Sequence, residues 1–222
     1  MCDIQLIHHD TYPLESTPVS KLNFASFLSE EEKQFCRNFG EYDKKRQPDS
    51  PYISSTYDLF ENKELFNLKS KFNKAIRVYV ENILHTPSLN FKLTGSWLTK
   101  NNNNTCHSSH KHPNTMLSVV TYFCDSIDSD KELPGIIFSS EKLSKVFPTF
   151  QFDFTDVEVT EWNLFNYETY IIKPRQDDVI VFPGHLRHSS ETCVTGSRYC
   201  IGANYFITGK IGKDFRKSLI DL

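Results

Sequence analysis

Two amphipathic helices are the first pattern to emerge from the order of apolar and polar residues. Ser29 followed by Glu32 is a capping-box pattern, which predicts a helix that begins after Ser29 and ends at Gly40. From Glu61 to Leu84, apolar residues recur every three or four positions, which predicts a second helix with one buried stripe. The stripe consists of Leu65, Leu68, Phe72, Ile76, Tyr79 and Ile83.

After Pro87 the pattern changes to short β-rich runs separated by Asn, Pro, Gly and Asp. Many short strands with regular turn signals are typical of a sandwich or barrel. Two helices ahead of such strands predict an α+β fold, mainly β, with the helices on one outer face of the sheets. The predicted strands are 89–99, 116–123, 135–140, 157–162, 169–174, 178–183 and 198–208. Residues 3–7 are predicted to form an edge strand, and 16–29 and 41–60 to be loops.

Composition narrows the class of protein. The chain has 222 residues, which suits one domain, and a net charge of -3, which gives no general attraction to nucleic acid or membranes. No apolar run reaches the roughly 20 residues that span a bilayer, and no signal peptide is expected. The six cysteines form no CxxC pair, so free thiols and a cytoplasmic location are predicted, with disulfides as the alternative.

Five of the eight histidines fall in two clusters beside predicted strands. His107, His110 and His112 precede strand 116–123. In a strand, residues two apart point the same way, so His110 and His112 are expected to be directed at one point. The second cluster, His185 and His188, follows strand 178–183. Imidazole is the commonest metal ligand, and ligands from two distant strands suit an open transition-metal site. The alternative is that these are solvated loop residues.

Arg198 opens the otherwise apolar strand 198–208. If Arg198 points inward it needs an anionic partner, because burial of an unpaired charge costs several kcal/mol. Its planar guanidinium suits a carboxylate. The alternative is an outward-facing arginine on an edge strand.

Taken together, these segments resemble the Fe(II)- and 2-oxoglutarate-dependent oxygenases, and more narrowly a family of small oxygenases known mainly from bacteria and phages. The resemblance covers about Phe91 to Ile207. The matching pieces are Trp97, then "HKHPNTMLSVVTYF", "PGIIF", "DDVIVFPGHLRHSS" and "RYCIGANYF".

The resemblance implies a double-stranded β-helix, or jelly roll, with flanking N-terminal helices. It implies one domain, 1–222, made of a helical flank and edge strand (1–86), a jelly-roll catalytic core (87–210) and a C-terminal tail (211–222). The implied activity is that of a dioxygenase that uses Fe(II), 2-oxoglutarate and O2. It would hydroxylate a C–H bond of an unidentified substrate and release succinate and CO2.

By position, the resemblance assigns His110 as the first metal ligand and His188 as the distal one. It makes Arg198 the residue that binds the far carboxylate of 2-oxoglutarate, with Tyr122 hydrogen-bonded to the same carboxylate and Asn204 lining the pocket. The acidic position of the His-x-Asp/Glu motif is occupied by His112, a His-x-His form that the narrower family shares. We predict a three-histidine site, with an outer or substrate-contacting role for His112 as the alternative.

Two other classes of function stay open at this point. A cupin-like metal-dependent enzyme would act without 2-oxoglutarate and would not need Arg198. A non-catalytic β-sandwich module could hold a structural zinc at Cys106, His107, His110 and His112, although these residues are crowded for a closed zinc site.

The substrate is expected to be a small molecule or a peptide, with nucleic acid disfavoured and a homodimer allowed. The aromatic segment 145–167 is interpreted as a lid or, preferably, an extra strand, and the loop Asn101–Asn104 as a candidate for substrate contact.

Overall fold

The structure of the chain is a computed structural model. It describes residues 17–43, 47–139, 169–194, 196–212 and 219–222. Except for Thr17, these residues belong to one compact unit formed by Pro18–Ser139 and Thr169–Leu222. The strands predicted at 3–7 and 157–162, and the whole of the aromatic segment 145–167, lie outside the described residues.

The first helix, α1, covers Glu30–Asn38 and has the predicted capping box. The Ser29 side chain accepts a hydrogen bond from the backbone of Glu32, and the Glu32 carboxylate accepts one from the backbone of Ser29. The end of the helix differs from the prediction, because Phe39 rather than Gly40 forms the C-terminal cap. Phe39 adopts an extended conformation there, so no glycine is required to end the helix.

The second helix, α2, covers Phe66–Asn82 and is shorter than the predicted 61–84. Two 3-10 turns, Leu59–Glu61 and Lys63–Leu65, precede it, because Asn62 between them has an extended backbone. Five residues of the predicted apolar stripe are buried, and Leu65, Leu68, Phe72, Ile76 and Tyr79 are all at most 2% exposed. The sixth, Ile83, lies just past the end of the helix and is 42% exposed, so its prediction was wrong. Within the described residues, no helix is long and apolar enough to cross a membrane.

Among the described residues, a six-stranded sheet forms the larger layer, in the order β1-β7-β4-β9-β3-β2. A three-stranded sheet, in the order β6-β5-β8, forms the smaller one, and β10 and β11 form a separate hairpin-like pair. All these pairings are antiparallel. The strands are β1 Ser20–Asn23, β2 Tyr52–Ile53, β3 Asn90–Asn101, β4 Leu117–Cys124, β5 Ile136–Ser139, β6 Thr169–Ile172, β7 Asp178–Pro183, β8 His188–Ser190, β9 Arg198–Thr208, β10 Lys210–Ile211 and β11 Ile220–Asp221.

The two predicted loops each contain a strand, so these predictions were wrong. Residues 16–29 contain β1, which pairs with β7, and residues 41–60 contain β2, which pairs with β3. Both strands lie at the edges of the larger sheet. Edge strands are held by backbone hydrogen bonds to one neighbour. β1 is mostly polar and β2 has only two residues, so neither gives an apolar alternation that a sequence pattern could detect.

The two faces of the larger sheet pack against different elements. On the outer face, Ile201 and Tyr205 of β9 belong to one core cluster with Phe72 and Ile76 of α2. The helices therefore pack on one outer face of the sheets, as predicted. Full burial of each such large side chain contributes about 1.5–3 kcal/mol.

The inner face of the larger sheet packs against the smaller sheet. Ile180 and Phe182 of β7 share a second core cluster with Ile136 and Phe138 of β5. The rings of Phe138 and Phe182 meet edge to face at 5.2 Å. Cys200 and Gly202 lie on the same face of β9 as Arg198, and this face is directed toward the interior between the sheets. The two histidine clusters meet in this interior.

Candidate active site

A cavity opens at the inner face of the larger sheet, and both sheets contribute to its wall. Most of the functional residues predicted from the sequence line this cavity. Among its lining residues are His107, His110, His112, His188, Arg198 and Tyr122, together with Trp97, Thr99, Asn101 and Cys200.

Backbone hydrogen bonds join the two histidine clusters. His110 and His188 exchange both of their backbone hydrogen bonds, each with a nitrogen–oxygen distance of 2.9 Å. One step along, the backbone nitrogen of His112 lies 2.9 Å from the carbonyl oxygen of Gly184. The segment before β4 therefore runs antiparallel to the segment that leads into β8. The predicted convergence of His110 and His112 arises from this pairing, because both residues lie ahead of the strand that begins at Leu117.

Three imidazoles are brought together at this junction. One ligand atom from each of His110, His112 and His188 lies within 4.8 Å of the others. The Nε2 atoms of His110 and His112 are 3.3 Å apart. Two nitrogen ligands of one ion, each about 2.1 Å from it and about 90–110° apart, would be separated by about 3.0–3.4 Å.

In two of these rings, the Nδ1 atom forms a hydrogen bond to a backbone carbonyl oxygen. His110 Nδ1 is 2.8 Å from Ser108 O, and His188 Nδ1 is 2.9 Å from Leu186 O. A carbonyl oxygen only accepts, so both Nδ1 atoms carry the ring hydrogen and both Nε2 atoms present a lone pair. A second hydrogen bond of this kind typically orients a metal-binding histidine.

The cavity keeps these imidazoles neutral. Burial lowers the pKa of His188 to about 3 and that of His112 to about 4. Burial also lowers the pKa of His110. Neutral imidazole is the form that binds metals, so the rings are in their ligating state at pH 7.

The two other clustered histidines are placed differently. His107 lines the cavity, and its ring stacks on that of His110 with centroids 4.3 Å apart. His185 is exposed at the turn between β7 and β8. Of the described residues, the only group of metal-binding side chains consists of His110, His112 and His188. Cys106 and His107, which the zinc alternative requires, are not part of it.

Arg198 points inward and is 2% exposed. Its guanidinium lies over the ring of Tyr122, with the central carbon 4.4 Å from the ring centroid. The Nε atom is buried without a hydrogen-bond partner. None of the ion pairs formed between described residues involves Arg198. A buried guanidinium with an unsatisfied donor is a strong site for a carboxylate.

Tyr122 and Asn204, also predicted from the sequence, lie on neighbouring strands. Burial raises the pKa of Tyr122, so its phenol remains protonated and able to donate a hydrogen bond. Tyr122 lines the cavity, whereas Asn204 is not among the lining residues. The Asn204 Oδ1 atom lies 2.8 Å from the hydroxyl of Ser118, behind His112.

Sequence reasoning missed two polar residues of the site, Thr99 and Ser118. Thr99 lines the cavity from β3, and Ser118 is fully buried in β4. Asn101, predicted in a loop that contacts substrate, also lines the cavity but is the last residue of β3. Thr99 pairs in register with Cys200 and Asn101 with Arg198, so they flank the arginine strand. Their place in the site could have been predicted from their spacing, because Trp97, Thr99 and Asn101 alternate along one strand and therefore share a face.

Trp97 packs against His112 and depends on a glycine for its position. The two rings meet edge to face at 5.3 Å. Gly202 lies opposite Trp97 in the β3–β9 register. A Cβ atom at Gly202 would come within 2.4 Å of the Trp97 indole.

Gly202→Ala is therefore expected to displace Trp97 and, through it, His112. The overpacking should lower the free energy of unfolding by about 1–3 kcal/mol and weaken metal binding. Gly95→Ala in β3 is the matched control, because its nearest contact would be an ordinary 3.6 Å. Chemical denaturation and metal titration of both variants measure these effects. Equal metal affinity in the two variants would contradict a role for Trp97 in placing His112.

The part of the sequence that forms the cavity matches a known protein family. Residues 95–204 match the sequence profile of the family described as "Putative 2OG-Fe(II) oxygenase". This segment contains the three clustered imidazoles of the site and Arg198. Among curated proteins, no sequence matches that of this chain.

Solved structures share the fold at low sequence identity. A 2OG-Fe(II) oxygenase family oxidoreductase from Burkholderia pseudomallei is 11% identical, with a TM-score of 0.53 over 84% of this chain and 83% of that chain. HygX from Streptomyces hygroscopicus, with nickel and 2-oxoglutarate bound, is 11% identical, with a TM-score of 0.56 over 86% and 84%. A Pseudomonas putida prolyl-4-hydroxylase is 11% identical, with a TM-score of 0.53 over 87% and 94%.

These likenesses confirm the predicted double-stranded β-helix with flanking N-terminal helices. The sequence match covers the strands that carry the cavity. The chain belongs to the 2OG-Fe(II) oxygenase family, whose members are enzymes that use Fe(II), 2-oxoglutarate and O2.

Proposed function

We propose that this chain is a 2-oxoglutarate-dependent dioxygenase that hydroxylates a C–H bond of a small molecule or peptide. Succinate and CO2 are released as the second set of products. His110, His112 and His188 hold the iron, and Arg198 with Tyr122 holds the far carboxylate of 2-oxoglutarate. The observation that carries the proposal is the convergence of three neutral imidazoles in a cavity that also contains a buried guanidinium whose Nε atom has no hydrogen-bond partner.

The imidazoles fit a redox-active divalent ion. They come from two separate segments and line a cavity, in which further ligands of the ion could be accommodated. When bound, iron supplies the oxidation chemistry, with 2-oxoglutarate as the source of electrons for the reduction of O2. The histidines supply a fixed geometry, and their Nδ1–H groups are tied to carbonyl oxygens of their own loops.

The guanidinium fits the carboxylate of a keto diacid. A carboxylate in front of Arg198 would accept hydrogen bonds from a donor that is otherwise buried without a partner. The Tyr122 ring packs against one face of the guanidinium, and its protonated phenol is a second hydrogen-bond donor for the carboxylate. Burial raises the pKa of the Cys200 thiol to about 11, so this neighbour adds no negative charge that would compete.

Apolar walls complete the pocket. Val120 and Ile136 line it from opposite sheets, and Trp97 lines it beside His112. Such walls exclude water from the reacting centre, which strengthens each polar interaction inside it.

The compartment that we propose is the cytoplasm. None of the five described cysteines forms a disulfide, namely Cys36, Cys106, Cys124, Cys193 and Cys200. Cysteines kept as thiols are typical of a reducing compartment.

Release of succinate from 2-oxoglutarate tests the proposal. Protein freed of metal and then given Fe(II), 2-oxoglutarate and O2 is expected to form succinate even without substrate, at a slow uncoupled rate. Mass spectrometry of succinate, with Zn(II) in place of Fe(II) as control, measures it. Iron-dependent activity on other substrates without succinate would favour the cupin-like alternative. Tight zinc binding with no turnover under any condition would favour the structural module.

A further inference from the structure

His112 is held differently from the other two histidines of the site. His110 and His188 each bond through Nδ1 to a carbonyl oxygen two residues earlier in their own loop. The Nδ1 atom of His112 instead lies 2.6 Å from the hydroxyl of Ser118, on β4. That hydroxyl lies 2.8 Å from Oδ1 of Asn204, on β9. The ring of His112 is thus tied to the larger sheet and not to its own loop.

The strand register fixes this chain of contacts. Ser118 and Asn204 are directly opposite one another in the β4–β9 ladder. Ser118 is fully buried, so its hydroxyl has no solvent to turn toward. Cross-strand partners of this kind are held by the backbone ladder itself, which gives His112 a rigid support.

The hydrogens of this chain can be assigned one by one. The hydroxyl of Ser118 has a single hydrogen, and it donates that hydrogen to Asn204 Oδ1. The oxygen of Ser118 is then left to accept, so the hydrogen of the His112 ring must be on Nδ1. His112 Nε2 consequently presents a lone pair, which faces the Nε2 of His110 at 3.3 Å. Two lone pairs at this distance repel each other unless a cation lies between them.

We propose that Ser118 and Asn204 are positioning residues that fix the ring orientation and the Nδ1–H tautomer of His112, and thereby make His112 the third metal ligand. This inference rests on the proposed function only for the identity of the ion. Without the Ser118 oxygen, the ring hydrogen loses its acceptor, and the tautomer with hydrogen on Nε2, which cannot bind a metal through that atom, gains population. Loss of such a supporting contact typically weakens metal binding about 10–100-fold.

Ser118→Ala is the primary test, read by calorimetric titration of metal-free protein with Co(II) and by the visible spectrum of the Co(II) complex. We expect binding about 10–100-fold weaker and a changed ligand-field spectrum. Thr121→Val is the matched control, because Thr121 is a fully buried hydroxyl of the same strand that donates to the Asp178 carbonyl, away from the histidines. It should bind Co(II) with wild-type affinity.

Asn204 supplies a second, independent readout should Ser118→Ala fail to fold. Asn204→Asp keeps an acceptor opposite Ser118 and is expected to bind Co(II) as the wild type does. Asn204→Ala frees the Ser118 hydrogen to turn toward His112 Nδ1, which favours the other tautomer, and should weaken binding. NMR of the imidazole nitrogens in metal-free wild type should find hydrogen on Nδ1 of His112.

Two outcomes overturn the inference. One is wild-type Co(II) affinity and spectrum in Ser118→Ala or Asn204→Ala. The other is hydrogen on Nε2 of His112 in the metal-free wild type. Either result leaves the proposed function intact as long as the wild type binds metal. Failure of the wild type itself to bind Fe(II) or Co(II) would instead refute the proposed function.

Discussion

Arg198→Ala is expected to abolish binding of 2-oxoglutarate at concentrations that saturate the wild type. Removal of one partner from a buried, hydrogen-bonded charge pair costs about 2–5 kcal/mol, which is roughly 30-fold to several thousand-fold in affinity. Arg198 is 2% exposed, and none of the other described residues that line the cavity is an arginine or lysine that could take its place. Succinate formation should vanish with it.

Calorimetric titration of 2-oxoglutarate into the Ni(II)-loaded variant measures this loss, with Ni(II) affinity measured in parallel. Arg187→Ala is the matched control, because Arg187 is an exposed arginine one residue before His188. It should bind 2-oxoglutarate normally. Arg198→Lys keeps the charge but not the planar fork and should be intermediate. Wild-type 2-oxoglutarate affinity in Arg198→Ala would mean that the buried guanidinium serves another purpose.

His188→Ala should remove metal binding almost entirely. His188 is 4% exposed, and its ring contacts those of both His110 and His112. Loss of a supporting residue typically costs 10–100-fold in metal affinity, so loss of a ligand should cost at least about 100-fold. Equilibrium dialysis with Fe(II) under argon, followed by metal analysis, measures the bound fraction.

The control for His188→Ala lies three residues earlier. His185 belongs to the same sequence cluster but is exposed at the turn, so His185→Ala should bind Fe(II) as the wild type does. Circular dichroism of both variants checks that the sheets remain folded. Equal losses in the two variants, or none in either, would rule out His188 as a ligand.

The strands that carry the site could be predicted from the sequence because they are buried. β4 and β7 are almost wholly apolar runs, and a run of that kind cannot be accommodated in a loop. The edge strands β1 and β2 could not be predicted in this way, because backbone pairing rather than side-chain burial forms them.

The candidate site was predictable to a similar extent. Arg198 was identified by the cost of its burial, and the histidines by their clustering. The convergence of His110 and His112 was predicted from the alternation of side chains along a strand. In the structure both residues precede the strand, and their segment is positioned by backbone pairing of His110 with His188. Ser118 could not be identified, because a single serine in a buried strand acquires its role only through a histidine six residues earlier and an asparagine on another strand.

An anaerobic spectral titration tests directly whether the three histidines hold an iron ion that binds 2-oxoglutarate. A keto acid that chelates Fe(II) gives a visible metal-to-ligand charge-transfer band, so addition of Fe(II) and 2-oxoglutarate to the metal-free protein should produce this band at one equivalent of each. We expect the band in the wild type and in His185→Ala, and its loss in His188→Ala. A folded wild-type protein that gives no band, or a band that survives in His188→Ala, would contradict the proposed iron site.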